Sequence, residues 1–77
     1  MVTKTAKKPV RSSVTPRELD VAKQVALGQT NGEIGVILKI SPETVKVHVR
    51  SLLRKFECPR RGDLVEDRDF RKLLGTI

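Results

Sequence analysis

The sequence predicts an all-α fold of four helices at residues 14–77, preceded by a disordered basic arm at residues 1–13. Three stretches with helical spacing of apolar residues each follow a threonine or serine that is suited to cap a helix. The chain has two Phe and no Trp or Tyr, so the aromatic-rich pattern of β-strands is missing. The arm has four basic residues and no acidic ones, a composition that is typical of disorder.

The first helix is predicted at residues 16–27, because TPRE carries a complete N-terminal signal. Thr15 is a suitable N-cap, Pro16 suits the first helical position, and Glu18 stands at N3, where it completes a capping box. Gly28 then ends the helix. The apolar residues between these signals share one inward face: Val21, Ala22, Val25 and Ala26.

The second helix is predicted at residues 31–39 by TNGE, in which Thr30 is the N-cap and Glu33 stands at N3. Gly32 and Gly35 weaken this helix, each by up to about 1 kcal/mol relative to alanine. At Gly35 the missing side chain has a structural use, since it lets another helix approach closely.

The third helix is predicted at residues 42–56, and only a tight link separates it from the second. Ser41 is its N-cap and Pro42 its first residue. A short helix, a tight turn and a longer basic helix together form the helix-turn-helix pattern.

The last helix is predicted at residues 61–74, well formed to residue 67 and then continued as a looser helical tail. The stretch EDRDFRK is strongly charged and breaks the apolar periodicity there. The apolar residues of this segment are Leu64, Val65, Leu73 and Leu74. The sequence leaves open whether Leu64, Val65 and Leu73 belong to the core or to a dimer contact.

The charge of the chain favours a polyanionic partner. The 16 Lys and Arg against 9 Asp and Glu give a net charge of +7, which favours nucleic acid, although charge also serves solubility. The basic arm is either a plain solvated tail or a segment that adds phosphate or minor-groove contacts. Stacking of single-stranded bases is disfavoured, because aromatic residues are nearly absent.

Other function classes lack the residues that they need. Cys58 is the only cysteine and His48 the only histidine, so an internal disulfide, a zinc set and a histidine-based catalytic pair are excluded. The sequence has no set of nucleophile, base and stabiliser, so we expect neither an enzyme nor a cofactor. No apolar run approaches the roughly 20 residues of a membrane span, and no signal peptide is recognisable. We therefore expect a cytoplasmic protein without a membrane partner.

The third helix has two different faces. Lys46, Arg50 and Arg54 recur every four residues and form one basic stripe, with Val47 beside it. The opposite side is apolar: Val45, Val49, Leu52 and Phe56. This pattern is typical of a helix that packs on its own domain and offers its other face to an anionic partner; the alternative is a solvated amphipathic helix. Lysine and arginine can donate to guanine O6 and N7, and valine can contact a thymine methyl.

The stretch TPRELDVAKQVALGQTNGEIGVILKISPETVKVHVRSLLRKF, followed by Arg61 and Leu64-Val65, resembles the LuxR-type (GerE or NarL/FixJ) DNA-binding domain. T-P-R-E, [ST]-N-x-E-I, I-S-x-x-T-V-K-x-H and L-x-K occur in the family's order and spacing over residues 14–66. The resemblance implies a four-helix domain of bacterial transcription regulators. Its third helix would enter the major groove of DNA, and its fourth would form a dimer.

The resemblance also implies roles for individual residues. The residues at the family's base-contacting positions are Lys46, Val47 and Arg50. The residues expected at the DNA backbone are Thr30, Asn31, Thr44 and Lys55, to which the helix geometry adds Arg54 and His48. His48 alternatively packs or forms a backbone hydrogen bond, and Arg61 matches a family arginine that is more often structural than DNA-reading.

Several residues depart from the family pattern. Gly32 and Gly35 replace stronger helix formers, and Glu57 stands where a C-cap glycine is frequent. Val36 and Ile37 stand where charged surface residues are usual. These two residues either pack on the arm or the C-terminal tail, or form a surface for a partner.

Two hypotheses of different classes follow. The first is a transcription regulator that binds double-stranded DNA sequence-specifically as a homodimer. The second is a protein-interaction module of degenerate helix-turn-helix type that modulates RNA polymerase or another regulator. The dimer or partner surface would then include Val36, Ile37, Leu64 and Val65.

Overall fold

The computed structural model describes residues 13–75, and within that range it has five helices and no strand. The helices are α1 (Pro16–Ala26), α2 (Asn31–Leu38), α3 (Pro42–Lys55), α4 (Arg61–Glu66) and α5 (Arg68–Leu73). The all-α fold class is confirmed, and α1 to α3 agree with the predicted bounds to within one residue. The predicted basic arm lies outside the described residues, apart from Ser13.

The segment predicted as one fourth helix, residues 61–74, is two helices, so the predicted count of four is corrected to five. Asp67 lies between α4 and α5 with φ −69° and ψ 131°, which is an extended conformation. Its Oδ1 accepts a hydrogen bond from the backbone N–H of Phe70 at 3.0 Å. The Asp67 carboxylate thus caps α5. Because it bonds to a backbone N–H of the next turn, the chain ends α4 here and begins a new helix.

The three predicted N-caps are confirmed. Thr15 and Glu18 form a complete capping box at α1, and Thr30 and Glu33 form another at α2. The hydroxyl of Ser41 accepts a hydrogen bond from the backbone N–H of Thr44 at 3.1 Å and so caps α3. These local signals fix where α1, α2 and α3 begin.

Gly35 brings α2 against the start of α3. A Cβ atom at Gly35 would lie 2.6 Å from the carbonyl oxygen of Ile40 and 3.4 Å from the nitrogen of Pro42. A Cβ at Gly32 would meet only the Thr30 hydroxyl, at 3.9 Å. The close approach predicted for Gly35 is therefore confirmed: the chain turns into α3 directly over this residue.

The core joins all five helices. Its buried apolar residues are Val21, Ala22, Val25, Ile34, Val45, Val49, Leu52, Phe56, Leu64 and Phe70. Phe70, which the sequence did not assign to the core, packs edge-on against Phe56 with ring centroids 5.6 Å apart. Ala26, predicted to face inward, is exposed. Ala26 is the last residue of α1 and lines an open cleft next to Phe70.

Leu64 is a core residue rather than a surface residue. Its side chain is fully buried, so Leu64 is removed from the predicted dimer or partner surface. Val65 is half-buried and lines a cleft of about 280 Å³ with Ala26, Phe70 and Leu74. Among residues 13–75, no helix is both long and apolar enough to cross a membrane.

Candidate nucleic-acid interface

α3 presents two faces that differ in burial and charge. The inner face consists of Val45, Val49 and Leu52, which are all buried. The outer face consists of Lys46, Val47, Arg50 and Arg54, which are all exposed. At 1.5 Å per residue the outer face extends about 12 Å along the helix. The two faces predicted from residue spacing are therefore present in the structure.

The outer face combines cations with an exposed apolar side chain. Val47 is 61% exposed, although valine is among the residue types most often buried. Among residues 13–75, Lys46, Arg50 and Arg54 form neither an ion pair nor a side-chain hydrogen bond. Their charges are thus available to an anionic partner rather than neutralised within the described part of the domain.

Lys55 lies next to Arg54 but points to the other side of α3. Its Nζ contacts Glu18 Oε1 at 2.7 Å and donates to the Ser13 carbonyl oxygen at 2.5 Å. These contacts use two of the three N–H donors of the Lys55 ammonium and hold it against α1. We therefore assign Lys55 to the contact between α1 and α3, and its contact with a DNA backbone stays a prediction.

Glu18 is the buried centre of that contact. Its side chain is only 8% exposed, and besides Lys55 it accepts hydrogen bonds from the Ser51 hydroxyl at 2.6 Å and the Thr15 N–H at 3.0 Å. Burial alone raises the pKa of Glu18, but the Lys55, Ser51 and Thr15 hydrogen bonds outweigh it and lower the pKa to about 2. Glu18 lies on α1 and binds two residues of α3. It therefore fixes the rotation of α3 about its own axis, and this rotation sets the direction in which the outer face points.

The remaining residues predicted at a DNA backbone lie at the starts of α2 and α3 and within α3. Thr30 and Thr44 are exposed; the Thr30 hydroxyl caps α2, and the Thr44 hydroxyl is 2.9 Å from that of Ser41. His48 is half-buried. Asn31 is half-buried and is the first residue of α2.

Arg61 connects α4 to the turn between α1 and α2. Its Nη1 donates to Asn31 Oδ1 and its Nη2 donates to the Gln29 carbonyl oxygen, both at 2.6 Å. The sequence carried a signal only for a structural arginine at this position. It carried none for the partners, which lie 30 and 32 residues away.

A second exposed apolar surface lies on α2. Val36 is 79% and Ile37 is 47% exposed. Neither side chain is needed for the core, which α2 joins mainly through Ile34. Both side chains are therefore accessible to a partner, and the partner surface suggested by the sequence at these two residues stays a prediction.

The chain is similar to several bacterial regulators. It is 50% identical to the nitrate/nitrite response regulator protein NarP of Escherichia coli (strain K12) over 50 residues, which cover 65% of this chain and 23% of the relative. It is 51% identical to a nitrate/nitrite response regulator protein homolog of Haemophilus influenzae over 49 residues, 64% of this chain and 24% of the relative.

The name of a third relative refers to quorum sensing rather than to nitrate or nitrite. The chain is 42% identical to the quorum sensing-dependent transcriptional regulator RpaR of Rhodopseudomonas palustris over 55 residues, which cover 70% of this chain and 23% of the relative. The chain thus matches about a quarter of the length of these curated relatives.

The family model of bacterial regulatory proteins of the luxR family matches residues 12–66, which is most of the chain. The chain therefore belongs to the LuxR family of bacterial regulatory proteins and carries its helix-turn-helix domain.

Proposed function

We propose that this domain binds double-stranded DNA sequence-specifically in transcription regulation, with α3 in the major groove. The observation that carries the proposal is the outer face of α3, where an exposed valine stands among cations on a helix whose inner face is buried. A single exposed valine is ordinary on a protein surface, so the weight of the proposal rests on the cations around it, which have no ion-pair partner among residues 13–75. The relatives, which are described as regulators, support the same function.

The outer face has the chemistry to read base edges. Lys46 and Arg50 can donate to O6 and N7 of guanine, and Val47 can contact the methyl group of thymine. Arg54, one turn further toward the C-terminus, would meet a phosphate and fix the register. The packing of α3 on the core and the Glu18–Lys55 ion pair hold the backbone of α3 in one orientation, so the outer face keeps one direction.

Polar groups next to α3 extend the proposed interface to the DNA backbone. Thr30, Asn31, Thr44 and His48 would contact sugar and phosphate, which position a protein without specifying sequence. A homodimer would place two copies of α3 on a repeated half-site. Leu64 is buried and cannot lie in the contact between the two copies. The dimer contact would have to use other residues, such as the half-buried Val65.

The proposal is tested by binding to a pool of random duplexes of about 25 base pairs, titrated with salt, followed by sequencing of the retained DNA. We expect affinity to fall steeply with salt and one motif to be enriched, with the symmetry of the motif reporting the dimer geometry. A salt dependence without enrichment would contradict sequence-specific reading. Absence of binding at low salt would contradict DNA binding altogether.

A second candidate function is suggested by the exposure of Val36 and Ile37. Under this proposal the domain is a protein-interaction module that contacts RNA polymerase or another regulator through α2. The double change Val36→Ser and Ile37→Ser separates the two functions. If binding to such a partner is lost while duplex binding is retained, the α2 surface belongs to the partner. If duplex binding alone is lost, α2 belongs to the DNA interface.

A further inference from the structure

Arg61 is a cation that uses donors of both its terminal nitrogens inside the domain. Both terminal nitrogens of its guanidinium are engaged at 2.6 Å, one by Asn31 Oδ1 and the other by the Gln29 carbonyl oxygen. The side chain is half-buried, whereas the neighbouring Arg60 is exposed and pairs only with Asp63 among the described residues. Arg61 is thus arranged to hold the α1–α2 turn rather than to meet a phosphate itself.

This contact fixes which way the Asn31 amide points. A guanidinium can only donate hydrogen bonds, so Asn31 must present its oxygen to Arg61. The amide nitrogen, Nδ2, is then directed away from Arg61 with its two hydrogens as donors. Among residues 13–75, Asn31 forms no side-chain hydrogen bond other than the one with Arg61. Nδ2 is therefore left to an acceptor outside the described part of the chain.

We infer that Arg61 is a positioning residue for DNA binding: it holds the Asn31 amide in the one orientation in which Nδ2 donates to a phosphate oxygen. This inference rests on the proposed function. It adds that Arg61 orients the side chain of Asn31, the first residue of α2, before Asn31 contacts a phosphate. Without Arg61 the amide could rotate and present its oxygen, which a phosphate would repel. Orientation before binding raises affinity because less freedom is lost in the complex.

A double-mutant cycle tests whether Arg61 acts through Asn31. Arg61→Lys keeps the charge but loses the forked donor, and Asn31→Ala removes the amide. Asn31→Ala should weaken binding to a random duplex about tenfold. Arg61→Lys should weaken it about threefold in the wild-type background and by less than about 1.5-fold in the Asn31→Ala background. The salt slope should not change, because neither substitution removes a cation.

The matched control is Arg60→Lys, the same chemical change at the adjacent exposed arginine. It should leave duplex binding unchanged in both backgrounds. If Arg61→Lys weakens binding equally with and without Asn31, Arg61 contacts the DNA directly and the inference is wrong. If Arg61→Lys has no effect in either background, it is equally wrong. Thermal unfolding of each variant shows whether a loss of affinity reflects a loss of folded protein.

A measurement without DNA keeps the inference testable by itself. Nuclear magnetic relaxation of the Asn31 side-chain amide should show a rigid group in the wild type and a mobile one in Arg61→Lys. Equal mobility in the two proteins would overturn the inference whatever the binding data show. If the wild type fails to bind duplex at low salt, the proposed function and the phosphate contact fail together, before any variant is measured.

Discussion

Arg54 and Lys55 are adjacent cations in α3, yet the structure uses them in opposite ways. Lys55 lies toward α1 and pairs with the buried carboxylate of Glu18 at 2.7 Å. Arg54 lies on the outer face and pairs with no carboxylate among residues 13–75. The same contrast divides the valines of α3, since Val45 and Val49 are buried and Val47 is exposed. Position around the helix axis, rather than residue type, decides which of these side chains support the fold and which stay exposed.

Three contacts hold the inner side of α3 in place. The core packs against Val45, Val49 and Leu52, Glu18 binds Ser51 and Lys55, and Gly35 lies against the turn that enters α3. Because these contacts lie on three different elements, each can be broken separately. The predictions below compare inner-side changes with matched changes that leave the inner side intact.

The largest effect is expected from comparing Val45→Ala with Val47→Ala. The first removes two buried methyl groups and leaves a cavity, so the free energy of unfolding should fall by about 3 kcal/mol. The second trims an exposed side chain and should change it by less than about 0.5 kcal/mol. Denaturant unfolding of both variants measures the difference. Equal losses of stability would mean that the two faces of α3 are not distinct.

Gly35→Ala should be nearly as damaging, at about 2 kcal/mol, because the new Cβ would meet the Ile40 backbone at 2.6 Å. Gly32→Ala, in the same helix, has open space and should instead stabilise the domain by up to about 1 kcal/mol. Thermal unfolding of the two variants measures both changes. Stabilisation by Gly35→Ala would show that α2 and α3 are not in close contact at this residue.

Acid should weaken the link between α1 and α3. The pKa of Glu18 is lowered to about 2 in the folded protein, so its contribution to stability is present above about pH 4.3 and is lost as the pH falls toward 2. After allowing for the partial exposure of Lys55, this contribution is about 2 kcal/mol.

The measurement compares the free energies of unfolding of wild type and Glu18→Gln as a function of pH. Glutamine keeps the capping acceptor but not the charge. The stability advantage of the wild type should therefore shrink between about pH 5 and pH 2. An advantage that stays constant over this range would show that the charge of Glu18 does not stabilise the fold.

Substitutions on the outer face should change the free energy of unfolding least, but they should clearly weaken DNA binding. Arg50→Ala should weaken binding to the selected motif by about 1–3 kcal/mol and relax the preference at one base pair. Arg54→Ala should weaken binding to all sequences similarly and reduce the salt slope by about 1. Fluorescence anisotropy with matched and mismatched duplexes distinguishes the two. If both variants weaken all sequences alike, Arg50 contacts the DNA backbone instead of a base.

The local features of the fold could be predicted from sequence. Thr15, Thr30 and Ser41 are found as N-caps because a capping signal lies within four consecutive residues. The outer face of α3 could be predicted because four-residue spacing places side chains in one row. A close approach of another helix at Gly35 could be predicted because glycine has a poor helix propensity and needs another explanation there; the structure shows that the approaching atoms belong to the turn into α3.

Features that depend on distant partners could not be predicted. Glu18 was recognised as a capping residue, but its contacts with Ser51 and Lys55 join residues 33 and 37 positions apart. Phe70 lies in a charged stretch without apolar periodicity, and its burial involves contact with Phe56, 14 residues earlier in the chain. The break at Asp67 did have a local signal, since Asp69 follows in the first turn of α5 and Arg71 and Lys72 in the last.

The most direct test of the two-faced α3 uses its three valines as reporters. In a complex of methyl-labelled protein with the selected duplex, nuclear Overhauser contacts between valine methyl groups and DNA base protons are measured. If the outer face reads bases in the major groove, Val47 shows such contacts, including one to a thymine methyl where the motif has one, and the buried Val45 and Val49 show none. A saturated complex in which Val47 contacts no base proton would contradict the proposed reading of DNA by this face.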